Sequence, residues 1–512
     1  MHSGRLLEGR FFFTVAQPAV NNPEKTGLAY WMDRVLEQHS KLNEDWSPEP
    51  VHDLRVALRR CILIADVMRD FDPGASWKPV RKAGRGLFRQ LGTLRDTQVL
   101  AEWVQKLGSP EDASTLALLE ELKGKHEQNR AESQKAAKEF DRKQWRAWSR
   151  ELASRFRHVA SNKSACEALM LELWEAVRDS HCRAQKNRSG VAYHRTRVEL
   201  KKFRYAVENF LPSMYSEWVP DLKFLQDLLG EIHDLDVLSQ IVNKNRVLSD
   251  ETARATWIKK LQDERASRLQ QYRAKMAGKA SLLWKWRGGL PGDRELRSVG
   301  LAKLAEWAYF VTPNFPRVRR IARRALQLYD GFANCGLIGR EPNIEERFIL
   351  HAAALLQEVG RFKRKKAHHK ESYRMIRRVT PPVGWTKSDL ELVALIARFH
   401  RRALPSLDHK ALEAYQLPLR HVVLLLTGLL RMANAFSAKP YRAVRRLEAE
   451  NCAGVIVVRA EGYTETDPLT PKLSQAKRLL EFASHRPVHI LTPGAQIVAP
   501  RLVQPAAHSD AA

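Results

Sequence analysis

The stretch YHRTRVELKKFRYAVENF, residues 193–210, decides how the first half of this chain folds. At about 100° per residue, Leu200 and Phe203 fall on one face of a helix, and Arg197 and Lys201 fall on another. Few acids accompany the basic face, although a solvated helix usually intersperses Glu with Lys. The pattern predicts an amphipathic helix whose polar face meets an anion.

The same pattern occurs earlier in the chain. VHDLRVALRRCILIADVM, from Val51, aligns with the stretch about 140 residues later, and both copies contain His-x-x-Arg-x-x-x-basic-basic. FRQLGTLRDTQVL and LQDLLGEIHDLDVL then share Leu-Gly-x-x-x-Asp-x-x-Val, in the same order. Matched segments in one order indicate an internal duplication. Because the apolar spacing is helical and strand signals are scarce before residue 290, we expect two helical bundles.

Composition agrees with an anionic partner. The chain has 512 residues, which predicts two or three domains, and its hydrophobic content of 44% excludes a disordered chain. The formal net charge is +28, spread over both halves. Such a field attracts nucleic acid, an anionic membrane surface or an inorganic polymer.

Cysteine usage and apolar runs indicate the compartment. The five cysteines are odd in number and contain no CxxC pair, which favours reduced thiols over disulfides or a zinc site. Residues 1–24 form a tail with too short an apolar patch for a signal peptide. The run VVLLLTGLL at 422–430 is less than half of the roughly 20 residues that a membrane span needs. We expect a cytoplasmic protein with no membrane partner.

The repeated motifs resemble the conserved-histidine α-helical domain, known as CHAD, over residues 25–290, with repeats of about 25–160 and 161–290. The resemblance implies two four-helix bundles related by a pseudo-two-fold axis, around a basic cavity that binds inorganic polyphosphate. It implies that one wall contains His52, Arg55, Arg59 and Arg60, with Arg81 and Arg85 from the next helix. It implies that the other contains His194, Arg197, Lys201, Lys202 and Arg204, with Lys223 from the next helix. Arg81 and Arg204 have no basic counterpart in the opposite copy.

The residue types suit polyphosphate better than nucleic acid. Polyphosphate carries charge on every phosphate and has no bases, so guanidinium forks and ammonium groups suffice to bind it. Nucleic-acid binding normally needs aromatic side chains on which bases stack, and no aromatic row alternates with these basic faces. RNA or DNA binding remains the alternative that charge alone supports.

The second half begins after a candidate linker, WKWRGGLPGDRE from Trp284. Helical runs follow as far as PLRHVVLLLTGLLRMANAF. CAGVIVVRAEG and RPVHILTP then predict short strands, with PKLSQAKRLLEFAS as a helix between them. Residues 496–512 are predicted to be a disordered tail. We therefore expect a mainly α fold with a small C-terminal α+β part.

Residues 297–495 resemble the C-terminal HD-type helical domain of exopolyphosphatases and guanosine-pentaphosphate phosphohydrolases. HD-type hydrolases activate water on a divalent metal held by His and Asp. Here Gln357 replaces the motif's His, and Asn434 stands where a late Asp is often found. Neutral amides are poor ligands for a divalent metal. Residues 1–290 also lack the glycine-rich phosphate loops of the actin-like catalytic module. We expect no catalytic residues, no metal and no cofactor, although Glu358, His351, His368, His369 and His400 leave an altered site open.

The run GRFKRKKAHHK, residues 360–370, predicts a second, loop-like anion site. Its residues are Arg361, Lys363, Arg364, Lys365, Lys366 and Lys370, which Arg377, Arg378, Arg401 and Arg402 extend. The sequence therefore predicts a non-enzymatic, bacterial polyphosphate-binding protein of cytoplasmic polyphosphate granules, with polyphosphate-metabolising enzymes as candidate partners. The alternatives are an RNA- or DNA-binding protein and a residual HD-type phosphohydrolase that acts through Glu358.

Overall fold

The computed structural model describes residues 26–42, 44–244, 247–336, 346–464 and 469–495. The predicted tails, 1–24 and 496–512, lie outside these residues. The chain divides into two compact units, 1–299 and 300–512, hereafter unit one and unit two. The fold is mainly α with a small three-stranded sheet near the C-terminus, which confirms the predicted fold class. No helix among the described residues is both long and apolar enough to cross a lipid bilayer.

Unit one contains two successive sets of helices. The first set is α1 (Gly27–Lys41), α2 (Pro48–Phe71), α3 (Trp77–Leu107), α4 (Ala113–Lys138) and α5 (Arg142–Ala160). The second set is α6 (Lys163–Asn187), α7 (Gly190–Phe210), α8 (Pro212–Asn243), α9 (Glu251–Met276) and the short α10 (Leu282–Gly288). In each set the first four helices pack in chain order, first on second, second on third and third on fourth. Helix α5 packs on α1, and α10 packs on α6.

The fourth helices of the two sets, α4 and α9, begin with equivalent caps. The Asp112 carboxylate accepts a hydrogen bond from the backbone N–H of Thr115 at the start of α4. At the start of α9, the Asp250 carboxylate accepts in the same way from Ala253. A side-chain acceptor satisfies a backbone donor that has no partner within the helix, and it typically contributes about 1 kcal/mol. The duplication therefore extends to the start of the fourth helix as well as to the basic motifs.

The helices of unit two surround one apolar core. They are α11 (Leu296–Val311, which begins just before the unit boundary), α12 (Phe315–Asn334), α13 (Glu346–Leu356), α14 (His368–Arg378), α15 (Lys387–Phe399) and α16 (Leu417–Ala435). The apolar run 422–430 lies inside α16, and nearly all of it is buried in this core. A helix that is apolar on all sides can be buried in a protein core as well as in a membrane. This run is therefore a central core helix.

The sheet at the end of unit two has the order β1-β2-β3, from β1 (Leu447–Cys452), β2 (Val455–Ala460) and β3 (Val488–Leu491). Strands β1 and β2 form an antiparallel hairpin, and β2 and β3 are parallel. Helix α17 (Pro471–Ser484) connects β2 to β3, because parallel neighbours need a crossover. The predicted strands and the helix between them are present. Strand β1 was not predicted, since LEAENC carries none of the β-branched or aromatic residues typical of strands.

Candidate anion-binding site

The two repeated basic helices of unit one pack against each other. Helix α2 contacts α7, and α3 contacts α8, so each motif meets its own copy. Arg59 of α2 donates a hydrogen bond from Nη1 to the Tyr205 hydroxyl of α7, over 3.0 Å. Like-charge repulsion from Arg197 of α7 also contributes to lowering the pKa of Arg55 of α2. The matched cationic faces therefore form one continuous surface, which we call the central basic cluster: Arg55, Arg59, Arg197 and Lys201.

The duplicated glycine accommodates the duplicated arginine. A Cβ placed on Gly92 would stand 2.8 Å from Nη1 of Arg55, and one on Gly230 would stand 3.9 Å from Nε of Arg197. The backbone of α3, and less closely that of α8, therefore lies beside the guanidinium group of the preceding helix. At Gly92 a Cβ would displace the arginine side chain, whereas at Gly230 it would make only an ordinary van der Waals contact. The close approach therefore gives a physical reason for Gly92 in the first copy of Leu-Gly-x-x-x-Asp.

Two buried N–H groups of the cluster are unsatisfied. Nη1 of Arg55 and Nε of Arg197 have no hydrogen-bond partner in the described part of the chain. A buried donor without a partner typically costs about 1–3 kcal/mol, and more when the group is charged. The fold of the described residues therefore leaves both donors unpaired.

Charge in the cluster exceeds what the fold neutralises. Burial lowers the pKa of Lys201 to about 6, and Arg197, Arg59 and Arg55 lower it further by repulsion. Burial likewise lowers the pKa of Arg55 to about 10. Both shifts mean that the fold disfavours the protonated forms of these side chains.

Two aspartates face the cluster. Asp96 and Asp234 are the acids of the two Leu-Gly-x-x-x-Asp motifs, and both attract Arg197. Burial raises the pKa of Asp234 to about 6, and the proximity of Asp96 raises it further although Arg197 opposes the shift. Sequence analysis aligned these residues without giving them a role. They act as internal anions that compete with an external one.

The predicted histidines lie at the edge of the cluster. His194 approaches His233 of α8, with 3.2 Å between their Nδ1 atoms and 4.4 Å between ring centroids. Burial lowers the pKa of His233 to about 4, and repulsion from Arg197 lowers it further. Burial also lowers the pKa of His194, as does nearby Arg197. Burial and Arg95 lower the pKa of His52. Both predicted histidines are therefore neutral at pH 7 and offer hydrogen bonds rather than charge.

Arg60 is a correction to the predicted wall. Its Nε lies 3.0 Å from both carboxylate oxygens of Glu208, and its Nη2 lies 2.8 Å from one of them. Its guanidinium carbon also lies 4.1 Å from the Trp31 ring centroid. Arg60 is 8% exposed, and Glu208 neutralises its charge in a buried ion pair between the repeats. We exclude it from the binding surface.

Lys202, the counterpart of Arg60, also pairs with an acid. Its Nζ lies 3.0 Å from Glu199 on the same helix. The other predicted residues have partners around the cluster: Arg81 and Arg85 pair with Asp66, the latter at 3.5 Å, and Arg204 donates to Gln226 at 3.1 Å. Lys223 lies beside Asp227, whose pKa is raised by burial and lowered by that lysine. These four residues can extend the surface, since none is deeply buried.

Aromatic rings lie against two arginines of the cluster. Sequence analysis did not predict these contacts. The guanidinium carbons of Arg55 and Arg59 lie 5.0 and 5.4 Å from the Phe88 ring centroid. Arg59 also lies 5.9 Å from the centroid of Tyr205, which is buried. Such cation–π contacts hold a guanidinium group in place. Because these rings already contact arginine, they differ from exposed platforms that stack bases.

In unit two, the two positions that departed from the HD-type pattern lie together. Gln357 is fully buried, and its Oε1 accepts a hydrogen bond from Nδ2 of Asn434 over 2.7 Å. The same Nδ2 donates to the backbone oxygen of Leu430, and Nε2 of Gln357 donates to that of Ala354. Both amides therefore hydrogen-bond within the fold. This arrangement does not fit a divalent metal, which needs convergent lone pairs from His and carboxylate.

The adjacent carboxylate is neutralised by arginines. Glu358 lies 2.8 Å from Nη1 of Arg317 and 3.2 Å from Nε of Arg361. A carboxylate between two guanidinium groups is a poor ligand, since a metal would have to displace both. Within the described residues, no three His, Cys, Asp or Glu side chains are grouped so as to hold a metal ion.

The predicted basic run spans three local structures. A 3-10 turn covers Val359–Phe362, a loop follows, and α14 begins at His368. Lys363 lies 3.9 Å from Glu371 of α14, and Arg361 pairs with Glu358. The remaining cations are exposed and form no ion pair with the described acids: Arg364, Lys365, Lys366 and Lys370. The run therefore has four cations available to an anion.

Comparison with known proteins assigns each unit. Residues 28–243 match the CHAD domain. Residues 303–455 match the family described as Ppx/GppA phosphatase, domain III. No curated protein matched the chain. Both matches agree with the resemblances in the sequence, so the chain joins a CHAD domain to a domain III of the Ppx/GppA phosphatase type.

Proposed function

We propose that this protein binds inorganic polyphosphate without hydrolysing it. The observation that carries the proposal is the central basic cluster, in which two buried N–H groups, on Arg55 and Arg197, lack a partner among the residues that the structure describes. A polymer with an anionic oxygen on every phosphate can satisfy both groups at once and relieve the repulsion around Lys201. Charge-assisted hydrogen bonds of this type are roughly twice as strong as neutral ones.

The surroundings of the cluster favour a polymer without bases. The aromatic rings beside it, Phe88 and Tyr205, already contact arginine side chains. Base recognition would need exposed rings or polar groups that read base edges. The cationic faces supply charge and little else, which suits a partner that is only a chain of phosphates.

The proposal that no hydrolysis occurs is supported by unit two. A hydrolase of the HD type would need metal ligands where Gln357 and Asn434 form an amide pair. Glu358, the remaining carboxylate of the motif, is held by Arg317 and Arg361. Unit two would instead add affinity through its exposed basic run. Two modules that bind one polymer raise the effective concentration of the second contact, and this favours association with cytoplasmic polyphosphate granules.

A competition experiment tests the function. Long polyphosphate and single-stranded RNA of equal total charge compete for the full chain at physiological salt, with fluorescence anisotropy as the readout. We expect polyphosphate to bind at least about tenfold more tightly, a difference of roughly 1.4 kcal/mol. Equal or tighter RNA binding would support the nucleic-acid alternative.

A further inference from the structure

Three imidazole rings of unit two form a cluster that the proposed function leaves unused. His368 and His369 begin α14, and His400 directly follows α15. The ring centroids of His368 and His400 are 5.5 Å apart, and those of His369 lie 6.3 and 6.5 Å from the other two. His368 and His400 are buried, whereas His369 is part-exposed. The cluster thus has a buried floor and a side open to solvent.

Hydrogen bonds determine which nitrogens of the buried rings carry lone pairs. Nδ1 of His400 lies 2.6 Å from the backbone oxygen of Ala397, which can only accept, so Nδ1 carries the hydrogen and Nε2 is an acceptor. Nε2 of His368 lies 3.4 Å from Nη1 of Arg401, which can only donate, so this nitrogen also accepts. Burial lowers the pKa of His400 to about 3 and that of His368 to about 4. Both rings are therefore neutral at pH 7: Nε2 of His368 already accepts from Arg401, and Nε2 of His400 is the acceptor left for a ligand.

Cations surround these acceptors. Arg361 and Arg401 lower the pKa of His368 by repulsion, after burial. Arg401, Lys370, Arg402 and Arg398 act in the same way on His369. Glu358 is the acid that faces His368, and it is already paired with arginine. The site thus combines cationic donors with neutral acceptors, and the guanidinium group on His368 excludes that ring as a metal ligand.

This combination suits a phosphate group that still carries a proton. Guanidinium groups donate to the anionic oxygens, and a neutral imidazole accepts from P–OH. A terminal phosphate has a second pKa near 6, so it carries a proton part of the time at neutral pH. Internal phosphates of a polymer have no such proton and offer nothing to the imidazoles.

We propose that His368, His369, His400, Arg361 and Arg401 form a binding site selective for a terminal phosphate group, either the end of a polyphosphate chain or free orthophosphate. For the chain end, the inference rests on the proposed function and adds a division of labour. Unit one binds internal phosphates by charge, and unit two binds the end.

Linear and cyclic phosphates separate end recognition from charge. The full chain carrying Arg197→Gln and Lys201→Gln is titrated calorimetrically, because these changes weaken the site in unit one. The ligands are linear tripolyphosphate and cyclic tetrametaphosphate, which carries about the same charge but has no end group. We expect at least tenfold tighter binding of the linear ligand. Equal affinities would overturn the inference.

Variants within unit two locate the effect. Arg401→Gln, on an exposed side chain, should reduce the preference for the linear ligand about tenfold, whereas Arg364→Gln, outside the cluster, should preserve it. An unchanged preference in Arg401→Gln would contradict the inference. An orthophosphate titration identifies the source: comparable affinity indicates free phosphate, and much weaker affinity indicates the chain end. If unmodified protein still binds long polyphosphate, a failure here overturns only this inference.

Discussion

Neutralising one half of the central basic cluster should weaken polyphosphate binding without unfolding the protein. The change is Arg197→Gln with Lys201→Gln, on α7. Hydrogen bonds to charged groups each contribute about 1.5–3 kcal/mol, so losing two at the lower bound costs about 3 kcal/mol, or about a hundredfold in affinity. By analogy with nucleic acids, the slope of log affinity against log salt should fall by about 1.5, because two fewer phosphates are neutralised.

Thermal stability should hold or rise in the same variant. Burial and repulsion lower the pKa of Lys201, so the folded chain disfavours its charge, and a neutral side chain relieves that cost. The mirrored variant, Arg55→Gln with Arg59→Gln, should weaken binding similarly, because its helix is the duplicate. Anisotropy titrations at four salt concentrations and a thermal melt supply the data.

Arg60→Gln is the matched control. It removes a cation from the same repeated motif, but that cation is paired with Glu208. Breaking one partner of a buried ion pair typically costs about 3–5 kcal/mol, so this variant should melt earlier while its salt slope stays unchanged. The reasoning fails if the Arg197 and Lys201 variant keeps normal affinity and slope, or if its melt collapses as expected for Arg60→Gln.

Three further outcomes are expected. Gly92→Ala should weaken polyphosphate binding several-fold by displacing Arg55, yet melt no earlier, since alanine favours a helix by about 1 kcal/mol over glycine; unchanged affinity would contradict the role of the glycine. Between pH 6 and 10.5 the unfolded chain holds the Lys201 proton and the folded chain does not, so the free energy of unfolding should rise with pH in this window. Lys201→Met should flatten this rise in a pH series of melts. An identical rise in both proteins would contradict the lowered pKa of Lys201. With Mg²⁺ or Mn²⁺, a malachite-green assay should detect no phosphate release from polyphosphate, and release that disappears in Glu358→Ala would refute the non-enzymatic proposal.

The duplication made much of unit one predictable. Helical spacing placed Arg55 and Arg197 on a polar face, and repetition marked them as a set. Helical spacing could not show that the two faces meet, because that contact joins residues about 140 positions apart; the resemblance to CHAD supplied that expectation. Helical spacing also could not assign Gly92, since the guanidinium group that fills its space belongs to another helix.

Arg60 shows where periodicity alone is insufficient. It lies five residues from Arg55, or about 140° around the helix, so the two arginines face different neighbours. Its partner, Glu208, is 148 residues away and becomes visible only when the repeats pack together. The shared motif grouped the residues proposed to bind an anion with Arg60, which joins the two repeats.

In unit two, the sequence identified the positions that depart from the HD-type pattern. Gln357 and Asn434 were identified because they depart from a known pattern, and the structure places them in one hydrogen bond. The acceptor state of His400 was beyond sequence reasoning, since it depends on a carbonyl 2.6 Å from Nδ1. Burial and a local hydrogen bond, rather than residue type, determine which nitrogen of His400 accepts.

A crystal structure of the full chain with bound polyphosphate tests the central claim most directly. The account predicts phosphate density between α2 and α7, within hydrogen-bond distance of Nη1 of Arg55 and Nε of Arg197, with Arg59 and Lys201 also in contact. Arg60 should remain paired with Glu208. Density confined to other surfaces, with both N–H groups still without a partner, would contradict it.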